Sequence, residues 1–414
     1  MTGERRSFLF LQGPQSYFFE RIGRALIARG HRVYRVNLNL GDRLFWRLPA
    51  SNFRGRFGEW PKFVAAELEE HGVTDLILHG EQRPYHIVAA DEARTRGIGV
   101  FVTDLGYARP DWLTLEQDGM TGQSRFPRDP EAIRVLAEEF PEPDLEPRFA
   151  APFRLLAACD VVYNAAMVLG RPFYPHYRRH GIYHPFAEYA GWAWNAPRRL
   201  LTRHATVAAK TRLAAEPEGY FLYPLQLATD FQLRTHSPFT DAREALRTVL
   251  DSFAESGGRR RLVVIGHPLD EGLINWRRII LDRRCDRILF LDGGVTNALL
   301  ANAAGVVTVN STVGLTALRL GVPVKALGSA IYDVPGLIHM GDLAGFWPDP
   351  RPPDHDFVAM FLRAVIGATQ VKGGYHARAA QKHAIPVFAQ RLENGLFPTS
   401  PRSMLSCGGD HPIG

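Results

Sequence analysis

Six short clusters in this chain combine carboxylate, imidazole, guanidinium, amide or hydroxyl groups with glycine or proline, and each follows an apolar run. The densest is Thr103-Asp104-Leu105-Gly106-Tyr107-Ala108-Arg109-Pro110-Asp111-Trp112-Leu113-Thr114-Leu115-Glu116. Asp104 stands where the apolar run stops, a place suited to a general base or to a carboxylate that stabilises developing positive charge. A helix or turn cap is the competing reading. Arg109 could hold an anionic sugar carboxylate in a forked geometry, whereas Asp111 and Glu116 read as structural or solvent-facing. Glu81, Arg83 and His86 crowd into Gly80-Glu81-Gln82-Arg83-Pro84-Tyr85-His86, so Glu81 is a second candidate carboxylate, although surface loops also hold such residues idly. In Gln12-Gly13-Pro14, Gly13 would let the backbone approach a ligand, with free N–H groups on the helix that follows. A tight turn reads the same way, and the dinucleotide fingerprint is absent.

The second half carries the other three clusters. Pro224-Leu225-Gln226 precedes Asp230-Phe231-Gln232, with Ser237 nearby; Gln226 and Asp230 could hydrogen-bond a nucleotide or sugar, or belong to an ordinary loop. Gly266-His267-Pro268 sets an imidazole at a strand end, where His267 could donate to a phosphate without being a metal ligand and Pro268 holds the turn. In Val309-Asn310-Ser311-Thr312-Val313-Gly314-Leu315, Ser311 or Thr312 would cap a helix whose first N–H groups could face a phosphate or carboxylate. Cap and anion site are compatible. Gly314 permits close packing or close approach.

These clusters need elements to place them. Ser7–Leu11, His31–Asn37, Asp75–His79 and Val100–Thr103 read as strands, alternating with helical spacing over Tyr17–Arg29, Trp60–Glu70 and His86–Arg96. A second alternation begins near Gly219: strands at Tyr220–Pro224, Arg261–Gly266, Ile288–Leu291, Gly305–Val309 and Val324–Leu327, helices at Ala242–Ser256 and Thr312–Arg319. Such alternation means βαβ units and parallel sheets, and ligands then lie at the carboxyl ends of the strands. The expected architecture is α/β: residues 1–130 a Rossmann-like acceptor domain, 131–215 a helical insertion, 216–345 a Rossmann-like donor domain, 346–395 carboxy-terminal helices and 396–414 a flexible tail. Phe153–Lys210 reads as helices broken at Pro172, Pro175, Pro185 and Pro197.

With 414 residues, 46% hydrophobic and 22% charged, the chain suits two globular domains rather than disorder. Cys159, Cys285 and Cys407 are far apart and suggest neither a disulfide framework nor a zinc site. The first apolar run is too short for a signal peptide, and none later reaches the roughly 18 residues of a membrane span; a cytoplasmic protein is expected. A net charge of +6 suggests an anionic partner. Scattered basic residues and no nucleic-acid module argue against DNA or RNA.

Taken in order, Gln12-Gly13-Pro14, Leu105-Gly106-Tyr107-Ala108-Arg109-Pro110-Asp111-Trp112, Gly266-His267-Pro268-Leu269-Asp270 and Asn310-Ser311-Thr312-Val313-Gly314-Leu315 resemble the retaining β-Kdo transferases that build the lipid-linked Kdo linker of bacterial capsules. The run from Ala317 to Tyr332, with Gly321-Val322-Pro323-Val324 and Gly328-Ser329-Ala330-Ile331-Tyr332, also fits, so the resemblance covers residues 7–340. It implies a GT-B-like fold with CMP-β-Kdo as donor and a β-linked product formed with retention. One module, rather than two, is similar to the members that start the linker on a phosphatidylglycerol-type lipid at the inner leaflet. By resemblance His267 and Pro268 would bind the CMP portion, and Ser311 and Thr312 the donor's phosphate or carboxylate. Asp104 sits in or beside the family's catalytic acidic motif. Some members carry Glu-Asp directly before the glycine where this chain has Asp104-Leu105, so Glu81 stays a rival.

The expected partners are a nucleotide-sugar donor, a lipid or glycolipid acceptor, the inner-membrane surface and other capsule assembly proteins. No metal and no cofactor are expected, since no DxD motif stands out. Two segments mix arginine with aromatics in a way that suits an anionic lipid surface, Gly41-Asp42-Arg43-Leu44-Phe45-Trp46-Arg47 and Trp192–Arg203; ordinary core packing is the alternative. Competing functions are a GT-B transferase for another nucleotide sugar and a non-catalytic capsule export or assembly protein.

Overall fold

The computed structural model describes residues 5–395 except 151, 180, 182, 217, 218 and 271. The expected tail 396–414, with Cys407, lies outside the described residues. Two sheets organise the chain. The first alternates β1 (Ser7–Phe10), α1 (Phe18–Ala28), β2 (Arg32–Asn37), α2 (Leu40–Leu44), β3 (Ser51–Asn52), α3 (Trp60–Glu70), β4 (Asp75–His79), α4 (Pro84–Arg94) and β5 (Gly99–Leu105). All four residues of β1 are buried, as expected of a parallel strand covered on both faces. In α1 the buried Phe18, Phe19, Ile22 and Leu26 recur at helical spacing and face the sheet.

The chain then turns back as β6 (Trp112–Gln117), antiparallel to β5, with Asp104 opposite Thr114. Sequence reading took this strand as part of the Asp104 cluster. Three helices follow: α5 (Pro130–Glu138), α6 (Phe153–Leu169) and α7 (Pro185–Ala214). The break expected at Pro197 does not occur; α7 runs through it for 30 residues. A helix can lose one backbone bond at an internal proline and bend rather than stop.

The second domain comprises β7 (Tyr220–Pro224), α8 (Phe231–Thr235), α9 (Ala242–Glu255), β8 (Leu262–Ile265), α10 (Trp276–Leu281), β9 (Ile288–Leu291), α11 (Asn297–Ala301), β10 (Ala303–Thr308), α12 (Thr312–Arg319), β11 (Val324–Ala326) and α13 (Leu343–Phe346). Its five strands are all parallel, in the order β11-β10-β7-β8-β9. The order reverses between β7 and β10, so a crevice opens at their carboxyl ends.

Residues 346–395 were expected to form helices on their own. They hold α14 (His355–Thr369) and α15 (Arg378–Asn394), but between them β12 (Gln370–Lys372) joins the first sheet antiparallel to β6. That sheet therefore reads β12-β6-β5-β4-β1-β2-β3, with its reversal between β1 and β4. The return is held by apolar contact, because α15 lies on α1 with Phe18 edge-on to Phe388 at 5.2 Å and to Tyr375 at 5.1 Å. The two sheets face each other as the Rossmann-type pair of a GT-B-like α/β fold.

The aromatics of 41–47 are not a surface. Phe45 and Trp46 are buried, and Asp42 sits in a buried network with Gln12, Asn39 and Tyr163. Trp194 of the second segment is 86% exposed. Among the described residues no helix is long and apolar enough to cross a membrane.

Arg6 ties both ends of the first domain. Its Nε donates to Oδ2 of fully buried Asp75 at 2.8 Å, and Nη1 donates to the carbonyls of Leu392 at 2.6 Å and Glu393 at 3.0 Å. Arg6→Ala would strand a buried carboxylate and release the end of α15. We expect a loss of about 3 kcal/mol, read from the urea unfolding midpoint; an unchanged midpoint would show that the ion pair holds nothing.

Candidate active site

A cleft of about 760 Å³ separates the two carboxyl edges. From the second domain it is built on the crevice between β7 and β10. Gln226 follows β7 and Asn310 follows β10, and the two amides lock across the crevice: Gln226 Nε2 donates to Asn310 Oδ1 at 2.8 Å, and the Asn310 N–H donates to Gln226 Oε1 at 3.2 Å. Asp230 caps α8 by accepting the Gln232 N–H at 2.9 Å, and its other oxygen accepts from Gln226 at 3.3 Å. Burial pushes the Asp230 carboxyl up, while hydrogen bonds from Gln232 and Gln226 and the charges of Arg109 and Arg234 hold it down.

Ser311 caps α12 through its hydroxyl, which accepts the Val313 N–H at 3.3 Å. The Ser311 carbonyl takes the Tyr332 hydroxyl at 2.5 Å. Gly314 is required by that contact, since a Cβ there would collide with the Tyr332 phenol. At the end of β8, His267 Nδ1 accepts the Leu269 N–H at 3.1 Å, which leaves the proton of the neutral ring on Nε2.

The first domain supplies Asp104 and Arg109. Gly106 makes their turn possible: its N–H donates to the Trp112 carbonyl at 2.8 Å, and a Cβ would lie 2.5 Å from that oxygen. Asp104 is half-buried, and the loss of water around its carboxyl pushes the pKa up to about 6. The Leu105 N–H, Arg109 and Arg83 oppose that rise, and Glu81 adds to it. Arg109 has open surface along the cleft, yet the cleft walls desolvate its guanidinium and lower it, against support from Asp104 and Asp230. The cleft thus places a carboxyl able to exchange protons near neutral pH opposite a helix start and an imidazole.

Asp104, Arg109, Gln226, Asp230, His267, Pro268, Ser311 and Thr312 all line this one cleft. Gly13 and Glu81 do not. Gly13 lines a second cavity of about 400 Å³ in the first domain, at the crevice between β1 and β4, and a Cβ there would lie 2.6 Å from the Phe19 ring. Asp104 and Leu105 belong to both cavities. Glu81 is buried behind them, with Oε1 accepting the Met120 N–H at 3.3 Å and lying 3.7 Å from His236 Nε2 of the second domain.

Glu116 is structural: buried, it accepts from Tyr107 at 2.6 Å and from Ser124, and burial pushes it up to about 7. Asp111 accepts the N–H groups of Arg148 at 2.6 Å and Phe149 at 3.0 Å. Sequence reading did not single out Asn310, Tyr332 or His376 as site residues. Asn310 was within reach as the first polar residue after β10, and Gly373-Gly374 was a signal for His376, which follows that pair into the second cavity.

A model of the family described as capsule polysaccharide biosynthesis protein matches residues 74–376. The capsule polysaccharide modification protein LipB of Neisseria meningitidis is 30% identical over 389 residues, 90% of this chain and 92% of that protein. The capsule polysaccharide export protein KpsS of Escherichia coli is 30% identical over 379 residues, 90% of this chain and 97% of that one. Among solved structures, the β-Kdo 2,7 transferase of KpsC from Thermosulfurimonas dismutans aligns with a TM-score of 0.47 at 14% identity, covering 92% of this chain and 100% of that one. From the matched family model and the two relatives, this chain belongs to the capsule polysaccharide biosynthesis protein family.

Proposed function

We propose that this chain is a capsule glycosyltransferase that moves a β-Kdo residue from CMP-β-Kdo, with retention, to a phosphatidylglycerol-type lipid or a Kdo-lipid acceptor. One observation carries the reading: Asp104 is shared by two cavities, one at each sheet's strand reversal. A donor bound on the second domain and an acceptor bound on the first would meet at that carboxyl.

On the donor side, the CMP phosphate would lie against the start of α12 and the His267 ring. Backbone N–H groups, a helix dipole and an imidazole donor match an anion there. Gln226, Asp230 and Pro268 would position the nucleotide, and Arg109 would hold the sugar carboxylate. The bond from the anomeric carbon to the phosphate oxygen breaks, and its electron pair leaves with CMP. The anomeric carbon gains oxocarbenium character, which the Asp104 carboxylate stabilises. The acceptor hydroxyl enters on the face that CMP leaves, which gives retention, forms the new bond and gives its proton to Asp104. Glu81 sits behind that carboxyl and raises its basicity rather than touching substrate. The phosphate charge is met by protein groups, so the reaction is proposed to run without metal or cofactor, at the cytoplasmic face of the inner membrane.

Asp104→Asn should lower kcat for transfer from CMP-Kdo by about 10²-fold or more with the thermal midpoint kept. A variant holding above a tenth of wild-type kcat would remove Asp104 from the reaction. If the ionised form acts, the wild-type rate rises as pH climbs through about 6 and levels above it, and Asp104→Asn loses that limb. A rate that instead falls over this range would contradict a basic role. Excess chelator should leave transfer unchanged; loss of activity restored by Mg²⁺ would overturn the metal-free reading.

A further inference from the structure

One stretch of the donor cleft has no part in the proposed reaction: the turn Gly293-Gly294-Val295, which follows β9. Both glycines are left-handed, with φ of 86° and 72°, a backbone that other side chains resist. The turn is held from behind by a residue outside the cleft. Lys210, near the end of α7, donates from Nζ to the carbonyl of Gly293 at 2.9 Å and to that of Gly294 at 2.7 Å. Asp292 beside them pairs with Arg277 at 2.9 Å. The end of α7 is itself fixed, because Asn302 donates to the Leu213 carbonyl at 3.4 Å and to the Glu216 carbonyl at 2.8 Å.

These bonds set a direction, because the C=O and N–H of a planar trans peptide point opposite ways. The N–H opposite the Gly293 carbonyl belongs to Gly294, and it donates to the carbonyl of cleft-lining Gly266 at 3.0 Å. The N–H opposite the Gly294 carbonyl belongs to Val295, which also lines the cleft, and it makes no hydrogen bond among the described residues. Lys210 thus draws two acceptors away from the cleft and leaves one backbone donor turned into it. Strand order says what meets that donor. The start of α12 follows β10 and His267 follows β8, while this turn follows β9, the next strand outward. A phosphate held at α12 and His267 leaves its nucleoside this flank of the cleft. Pyrimidines differ on the edge they would present there: cytosine offers O2 and N3 as acceptors, whereas N3 of uracil carries a proton and would set donor against donor.

We propose that Lys210 is a positioning residue that sets base specificity: by holding the carbonyls of Gly293 and Gly294 away from the cleft, it aims the Val295 N–H at the acceptor edge of cytosine and turns uracil away. This rests on the glycosyltransferase reading for the presence of a nucleotide in the cleft. The helical insertion then has a part in donor choice although none of its residues lines the cleft. Without the ammonium, the two glycine peptides are free to rotate and to offer a carbonyl to the N3 proton of uracil.

The test is calorimetry of CMP and of UMP on the full chain. Wild type should bind CMP about tenfold more tightly than UMP or better, the cost of two opposed donors. In Lys210→Met that preference should fall to about threefold or less, with UMP tightened and CMP weakened. Lys210→Arg, whose guanidinium also offers two N–H donors to two carbonyls, should keep the preference. In transfer assays Lys210→Met should raise KM for CMP-Kdo and leave kcat unchanged, because Asp104 and Arg109 stand on the other domain. A residue that only props the fold would weaken both nucleotides alike and lower the thermal midpoint, and that result would overturn the proposal. Equal affinity of wild type for the two nucleotides would overturn it as well. CMP binding with a preference that Lys210→Met leaves intact sinks the role of Lys210 alone, whereas no binding of CMP by wild type sinks the donor reading and this inference with it.

Discussion

In a parallel sheet every strand ends on the same edge, and where the strand order reverses the neighbouring connections diverge and leave a crevice. This chain builds one wholly parallel sheet and one whose strands β1 to β5 are parallel, and sets their carboxyl edges face to face. Almost every feature of the site follows from that constraint. Gln226 and Asn310 come from strands 84 residues apart, and their amides pair because the reversal sets β7 beside β10. Gly13 and His79 meet in the first domain because β1 lies beside β4.

A parallel edge alone would send the chain after Asp104 away into another helix. The antiparallel return through β6 prevents this and keeps the segment 106–111 at the cleft mouth, so Arg109 stands beside Asp104. Holding that return has required a buried polar cluster. The Tyr107 hydroxyl donates to Glu116 and accepts the Thr121 N–H at 3.0 Å, and Arg128 links the Thr121 carbonyl at 2.7 Å to the Ile331 carbonyl at 3.2 Å across the domains. The same cluster therefore fixes the turn after Asp104 and the junction. Burying Glu116 pushes its pKa up, but both its oxygens have partners, which is the condition under which such a network specifies one geometry.

The legible parts of the fold were those governed by local periodicity. The spans Trp60–Glu70, Asp75–His79, Tyr220–Pro224, Ile288–Leu291 and Thr312–Arg319 read from spacing match the observed elements. Eight of the expected residues line one cleft, because residues just past a buried strand have only the edge to occupy. What escaped depends on distant partners. β6 alternates like a strand, but its Trp, Thr and Glu also look like chemistry. β12 is three residues long, and only its pairing with β6, more than 250 residues earlier, makes it a strand. Phe45 and Trp46 suit either a lipid-facing surface or core packing on sequence alone, because arginines flank them. Their burial depends on Phe10, Tyr17 and Tyr163, which no local window contains. Glu81 and Asp104 looked alike as strand-end carboxylates, and only the packed position of Glu81 against Met120 and His236 separates them.

Charge balance across the cleft argues for a sequence of events in the proposed reaction. Without donor, Arg109 is the cation shared by Asp104 and Asp230, and it holds Asp104 below the value that burial alone would impose. An incoming donor brings a phosphate and a sugar carboxylate. Under the proposed reaction the phosphate would lie at the start of α12, and the carboxylate would compete for Arg109. Each step of that transfer removes positive charge from Asp104 and raises its affinity for a proton. Under the proposed reaction the carboxyl would be a better base with the donor in place than without it. Coupling of this kind ties proton uptake from the acceptor to occupancy of the other domain, and it needs no movement of the backbone, only an arginine that two carboxylates already share.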